Sequence, residues 1–140
     1  MVTQFKILSL IIALLSPTVI YSHTVTLEDK SLEEIVNNRM ALMQKIKSIS
    51  SQISKLLQSD DYDTITELNN TLLNSANEFK GAFPEGSQYK TASDEIWNDR
   101  DTFNQYIDKF INDIEMIGMS IELEDSEMFN SSFKEMASNC

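Results

Sequence analysis

The stretch AFPEGSQYKTASDEIWNDRDTF, residues 82–103, decides how the chain is divided. It contains Pro84 and Gly86, and Gly81 stands just before it, in a sequence of 140 residues with only three glycines and two prolines. Glycine weakens a helix through its backbone freedom, and proline through its missing N–H and its ring. Their concentration here marks one long loop in a sequence otherwise short of breakers. Gly81 and Pro84-Glu85-Gly86 end a preceding helix, the loop runs to about Thr91, and TASDEIW opens the next helix with Thr91 or Ser93 as cap.

Working outward, helical spacing of apolar residues appears on both sides. Upstream, SLEE at 31–34 offers a capping box, Ser31 with Glu34 three residues on. Leu32, Ile35, Val36, Met43, Ile46, Ile49 or Ser50, Ile53, Leu56 and Leu57 then share one stripe to about Gln58, roughly 40 Å of helix. SDDYD stops it, and Asp60 or Asp61 caps a second helix carrying Ile65, Leu68, Leu72, Leu73, Ala76 and Phe79. Downstream, Ile96, Trp97, Phe103, Ile107, Phe110, Ile114, Ile117 and Ile121 form the stripe of a third helix. The acids of LEDSE break it. A fourth, shorter helix starts near Asp125 with Phe129, Phe133, Met136 and Cys140 on its stripe. Amphipathic helices joined mostly by short loops become antiparallel neighbours, so the expectation is an all-α, up-down-up-down four-helix bundle.

The first 22 residues read as an export signal: Lys6, then the apolar run ILSLIIALL, then Pro17 and a small residue at Ser22. The run is short for a membrane span, and an uncleaved anchor is the alternative. Residues 23–140 form the expected mature domain. The formal charge of the chain is −11, and the leader holds none of the acids. Such a surface repels nucleic acid and suits solvation or a basic partner. Cys140 is the sole cysteine. In an exported protein it has no internal disulfide partner, so it asks for a second chain (a homodimer), a ligand or a cofactor.

Most enzyme chemistry finds no support, and the expectation is a protein without catalytic residues. The one histidine is His23, at the leader boundary, so the bundle carries no imidazole base, no His-containing metal cluster and no Glu-x-x-His pair of the di-iron type. An N-terminal His23 could chelate a metal through its amine and ring, but nothing nearby supplies a third ligand. No glycine-rich phosphate loop is present. Glu33-Glu34 and Asp60-Asp61 stand at helix starts, where acids favour the positive end of the dipole. Met40, Met43, Met116, Met119, Met128 and Met136 read as core filler, or as an adaptable lining for a flat apolar cofactor.

The 82–103 stretch resembles the loop and third-helix start of class II c-type cytochromes, the cytochrome c′ group: the aromatic Phe83, the loop Pro84-Glu85-Gly86, then Glu95-Ile96-Trp97. Arg39 with Met43 four positions on is similar to the first helix of that family, and YDTI and FKEMASNC fit its second and last helices. The resemblance covers about residues 28–140. It implies an exported, periplasmic bundle that holds one haem c, attached through C-x-x-C-H on the last helix with the histidine as proximal iron ligand. It implies one-electron transfer to a redox partner, or small-gas binding.

Residue by residue, the resemblance implies that Met43 faces the distal side, that Arg39 and Met40 line the haem and its propionates, that Phe83 and Thr91 form another wall, and that Cys140 matches the first cysteine of the motif. Two thioethers and a histidine on one turn fix iron on one side of the ring. This sequence departs from the pattern there: no x-x-C-H follows Cys140. The expectation is therefore a haem c protein that stops within its attachment motif, with no proximal histidine in the chain as written. The alternative is a haem-less bundle acting as an envelope interaction or structural protein.

Overall fold

A computed structural model describes residues 30–56, 58–59, 61–89 and 92–139. The expected leader, His23, Thr91 and Cys140 lie outside the described residues. Among the described residues there is no strand, and the elements are α1 (Leu32–Lys55), α2 (Tyr62–Lys80), α3 (Glu95–Asn98), α4 (Arg100–Glu122) and α5 (Ser126–Ser138). The four long helices form an antiparallel up-down-up-down bundle, with α5 the shortest of them. No described helix is long and apolar enough to cross a membrane.

Each long helix starts where a side chain satisfies an N–H that the helix cannot. Ser31 accepts from the Glu34 N–H at 3.3 Å, and the Ser31 N–H donates to Glu34 Oε2 at 2.7 Å, completing the capping box. Those bonds, led by the one from the Ser31 backbone, hold the Glu34 carboxyl below its ordinary range. Asp61 caps α2 through Thr64, Asp99 caps α4 through Thr102, and Asp125 caps α5 through Met128. The Asp99 cap splits the expected third helix: α3 is a single turn, and the chain bends at Asp99 before α4. Ser93 Oγ accepts from the Glu95 N–H beside the α3 start.

α2 packs on α1 and α4, and α4 packs on α5. Their shared core contains Ile46, Ile49, Ile53, Ile65, Leu72, Ala76, Phe110, Ile114, Ile117, Ile121, Phe129 and Met136. Each Ile, Leu, Phe or Met among them contributes roughly 1.5–3 kcal/mol when removed from water. At the α2–α4 seam, buried Asn69 donates from Nδ2 to Ile114 O at 3.2 Å. Gly118 makes room for that amide, since a Cβ there would stand 3.1 Å from Asn69 Nδ2.

Two stripe residues of α1 differ from expectation. Leu32 and Met43 are exposed, whereas Arg39 and Leu42 join Val36, Ile46, Ile49 and Ile53 on the buried face. α1 also ends at Lys55 with Leu56 as C-cap, earlier than Gln58. The buried positions keep a strict three-or-four spacing through 36, 39, 42, 46, 49 and 53, and that geometry admits Arg39 in place of an apolar neighbour. Between α4 and α5, Glu124 takes φ 52° and the Asp125 N–H returns to Ser120 O at 3.0 Å. That is the left-handed closure at which glycine is usual.

Candidate functional site

α1 supplies one wall of two adjoining clefts that meet at Met43 and Gln44. The first, of about 460 Å³, is lined by Val36, Arg39, Met40 and Met43 of α1, by Phe79 and Phe83, and by Tyr89, Ala92, Ser93 and Ile96. The second, of about 360 Å³, runs between Met43, Ile46, Lys47 and Ser50 of α1 and Phe133, Met136 and Ala137 of α5. The helices α1 and α5 thus face each other across an apolar groove. Ser50 Oγ is buried there with no hydrogen-bond partner among the described residues.

The floor of the first cleft is a small aromatic cluster. Phe83 meets Phe79, Trp97 and Phe103 edge-on, with centroids 5.0, 6.0 and 4.9 Å away, the arrangement that aromatic quadrupoles favour. The Phe83–Ser87 turn is fixed through its carbonyl oxygens by three other elements. Arg100 Nη2 of α4 donates to Phe83 O at 2.6 Å, Trp97 Nε1 of α3 to Pro84 O at 3.0 Å, and Arg39 Nη2 of α1 to Ser87 O at 2.9 Å. Gly86, at φ 78°, lets this turn close.

Arg39 is the electrostatic feature of the cleft. It is only 5 % exposed, and its guanidinium stands 5.0 Å from the Phe83 ring centroid and 5.6 Å from that of Trp97. Its hydrogen-bond partners are the backbone oxygen and the hydroxyl of Ser87. The ion pairs among the described residues are Lys80–Asp108, Lys109–Asp113 and Lys109–Glu135, so no carboxylate there neutralises Arg39. Burial lowers its pKa, yet a guanidinium stays charged at any working pH. A buried cation without a counter-ion is costly unless something anionic approaches it.

Arg39, Met40, Met43 and Phe83 therefore line one cleft, although they come from a helix and from a loop 40 to 44 positions away. Thr91 and Cys140, the other two expected positions, lie outside the described residues. Met40 and Met43 are about half exposed, as a lining open to a ligand would be. Val36, Phe79, Tyr89 and Ile96 were not singled out as site residues by sequence, because they read as ordinary stripe or loop positions. Ser87 read only as part of the family-like loop, with no role of its own.

The donors fit a flat, apolar group with an acidic edge: aromatic and thioether walls, and one uncompensated cation at the rim. Axial ligation is a separate matter. The described residues contain no histidine, and no group of three His, Cys, Asp or Glu side chains among them could hold a metal ion. The thioethers of Met40, Met43 and Met136 are the soft donors lining the two clefts.

A family model described as "Cytochrome C'" matches residues 34–140. A solved structure described as a cytochrome c′ superposes with a TM-score of 0.75 at 19 % identity, covering 79 % of this chain and 91 % of that one. A nitrosyl complex of a variant of cytochrome c prime from Alcaligenes xylosoxidans gives a TM-score of 0.74, again at 19 % identity, covering 79 % of this chain and 90 % of the other. A ferrous variant of the same organism's protein with bound NO is similar to this chain as well, at 19 % identity, a TM-score of 0.73 and the same two coverages. No curated protein matches the sequence.

Proposed function

The chain belongs to the cytochrome c′ family, a family of haem c proteins, and from that premise we propose that its α1 clefts hold a haem for one-electron transfer or small-gas binding. The observation that carries this reading is Arg39: a buried guanidinium, lacking a carboxylate partner among the described residues, at the rim of an apolar cleft. A haem has the complementary shape, a flat apolar ring with two carboxylates on one edge. When bound, it supplies an iron that exchanges one electron or takes up a small gas.

The side chains have separable tasks. Arg39 neutralises the acidic edge, held in place by Ser87. Val36, Phe79, Phe83 and Ile96 exclude water from the ring face, and Met40 and Met43 adapt to its surface. Thr91 and Cys140 complete the proposed set, Cys140 as the thioether position. On this reading the protein turns over no substrate, is exported to the periplasm by residues 1–22, and meets a redox partner whose basic surface complements the acidic chain. A homodimer is compatible with it. The nitric oxide complexes of the Alcaligenes xylosoxidans protein make nitric oxide the first gas to test.

A haem-less bundle is the rival, and the lack of a histidine among the described residues favours it. Titration of hemin into the protein, followed by absorbance, separates the two. Saturable binding with a shifted Soret band, weakened about tenfold by Arg39→Met, supports the haem reading; such a loss matches one hydrogen bond to a charged group. Free-hemin spectra throughout, together with a sharp thermal transition of the colourless protein, would overturn it.

A further inference from the structure

α5 is held from behind. The face of α5 that carries Phe133, Met136 and Ala137 lines the groove, while Glu135 and Asn139 turn toward α4. There Asn139 meets Asp113, a carboxylate only 8 % exposed, and Glu135 meets Lys109. Asp113 Oδ2 accepts from Asn139 Nδ2 at 2.6 Å and from Lys109 Nζ at 3.3 Å. Lys109 Nζ also donates to Glu135 Oε1 at 2.9 Å. The same Asn139 amide donates to Glu135 O at 3.0 Å, and the Asn139 N–H donates to Met136 O at 3.2 Å. One buried oxygen of α4 thus gathers the last turn of α5.

A buried carboxylate costs several kcal/mol unless its lone pairs are met, on the order of what a whole apolar side chain contributes. An apolar residue at 113 would bury as well, but apolar packing has no direction. It would leave the rotation and tilt of the last turn to the apolar fit of Phe129 and Met136 in the core and of the groove face, where packing against α1 is sparse. A helix terminus is also where fraying starts. Hydrogen bonds to a charged acceptor set both distance and rotation.

We infer that Asp113 is a positioning residue for the cofactor groove: by clamping Asn139 and, through Lys109, Glu135, it fixes the wall formed by Phe133, Met136 and Ala137 relative to α1. This role rests on the haem reading above. It gives a function to a residue that touches no part of the groove and that the family resemblance does not assign.

The test compares wild type, Asp113→Ala, Asp113→Asn and Asn139→Ala in two measurements: hydrogen–deuterium exchange resolved by segment, and hemin titration. Asn139→Ala, a change at the helix end, is expected to speed exchange in residues 134–139 about tenfold and leave 107–121 unchanged, since local opening is governed by local bonds. It is expected to weaken hemin binding about fivefold to tenfold with the melting temperature within a few degrees of wild type. Asp113→Ala should do at least as much. Asp113→Asn, which keeps an acceptor for Asn139, should restore most of the affinity; a purely electrostatic contribution of Asp113 would not be rescued this way. Hemin binding that is normal in Asn139→Ala and Asp113→Ala overturns the positioning role alone. Wild-type protein that fails to bind hemin overturns the haem reading and the role that rests on it.

Discussion

Two seams on opposite sides of the bundle are built differently. At the α2–α4 seam Ile65, Leu72, Ile114 and Ile117 are completely excluded from water, and Asn69 bridges to the backbone of its neighbour. Across the bundle α1 and α5 face each other over a groove edged by exposed Met43 and half-buried Phe133. The first seam is finished by its own side chains. The second is shaped but not filled. If the groove holds the proposed haem, stability and binding lie on opposite sides of one small protein, and a change on either side should move one property much more than the other.

The largest effect tests that contrast directly. Ile114→Ala is expected to cost about 2–5 kcal/mol of unfolding free energy, while Met43→Ala, already half in solvent, costs less than about 1 kcal/mol. Urea titration of both variants measures the pair; equal losses would break the contrast. Next comes Arg39→Met. Removing a buried cation that lacks a counter-ion, in favour of a flexible apolar chain, is expected to leave stability within about 1 kcal/mol of wild type. The same variant loses about tenfold in hemin affinity. A large loss of stability in the protein without hemin would show that Arg39 belongs with the core and not with the groove.

A smaller and opposite effect is expected at the α4–α5 connection. Glu124→Gly relieves a left-handed residue and should raise unfolding free energy by up to about 1 kcal/mol, read as a higher melting temperature. The smallest effect concerns pH. The hydrogen bond from Lys109 holds the Glu135 carboxyl below its ordinary range, and the bond to Glu135 raises Lys109. The Glu135 contribution is thus fully present above the unfolded-state carboxylate pKa and lost as pH falls through the depressed folded value. The Lys109 contribution is fully present below the unfolded-state amine pKa and lost as pH rises through the raised folded one. Both groups face solvent, so the expected readout is faster exchange of the last α5 turn at either extreme, with little change in the global melt.

Much of this architecture was legible in the sequence because it rests on local chemistry. Ser31 with Glu34, Asp61 and Asp125 announce helix starts through side chains that reach their own backbone, and the loop at Gly81–Gly86 shows in composition alone. The stripes of α2, α4 and α5 follow the apolar residues. α1 was harder, because one of its buried positions is an arginine, and a stripe drawn through apolar residues passes over Arg39 and takes Met43 in place of Leu42. The break at Asp99 was hidden because TASDEIW, with Thr91 or Ser93 as cap, already offers a helix start a few residues before Asp99 with Thr102. For the site, the family-like positions Arg39, Met40, Met43 and Phe83 were named from sequence. Their common cleft was not, and neither was Asp113, whose meaning depends on Asn139 some 26 positions later. An aspartate in a helix reads as solvated until the fold supplies its partners.

The pairing of Asn69 with Gly118 bears on how such a bundle can move. With the amide seated over the missing Cβ and bonded to Ile114 O, α2 and α4 are keyed, and a slide of one past the other would have to lift the amide out of its notch. Sliding is therefore a costly degree of freedom, whereas a swing of α5 about α4 meets no such key and is opposed by the packing of Phe129 and Met136 in the core and, at its end, by the Asp113 bonds. Any rearrangement on filling the groove should be a hinge at residues 123–125 and not a shear along the bundle. Distances between spin labels on α2 and α4 should stay fixed when hemin is added, while those between α1 and α5 change.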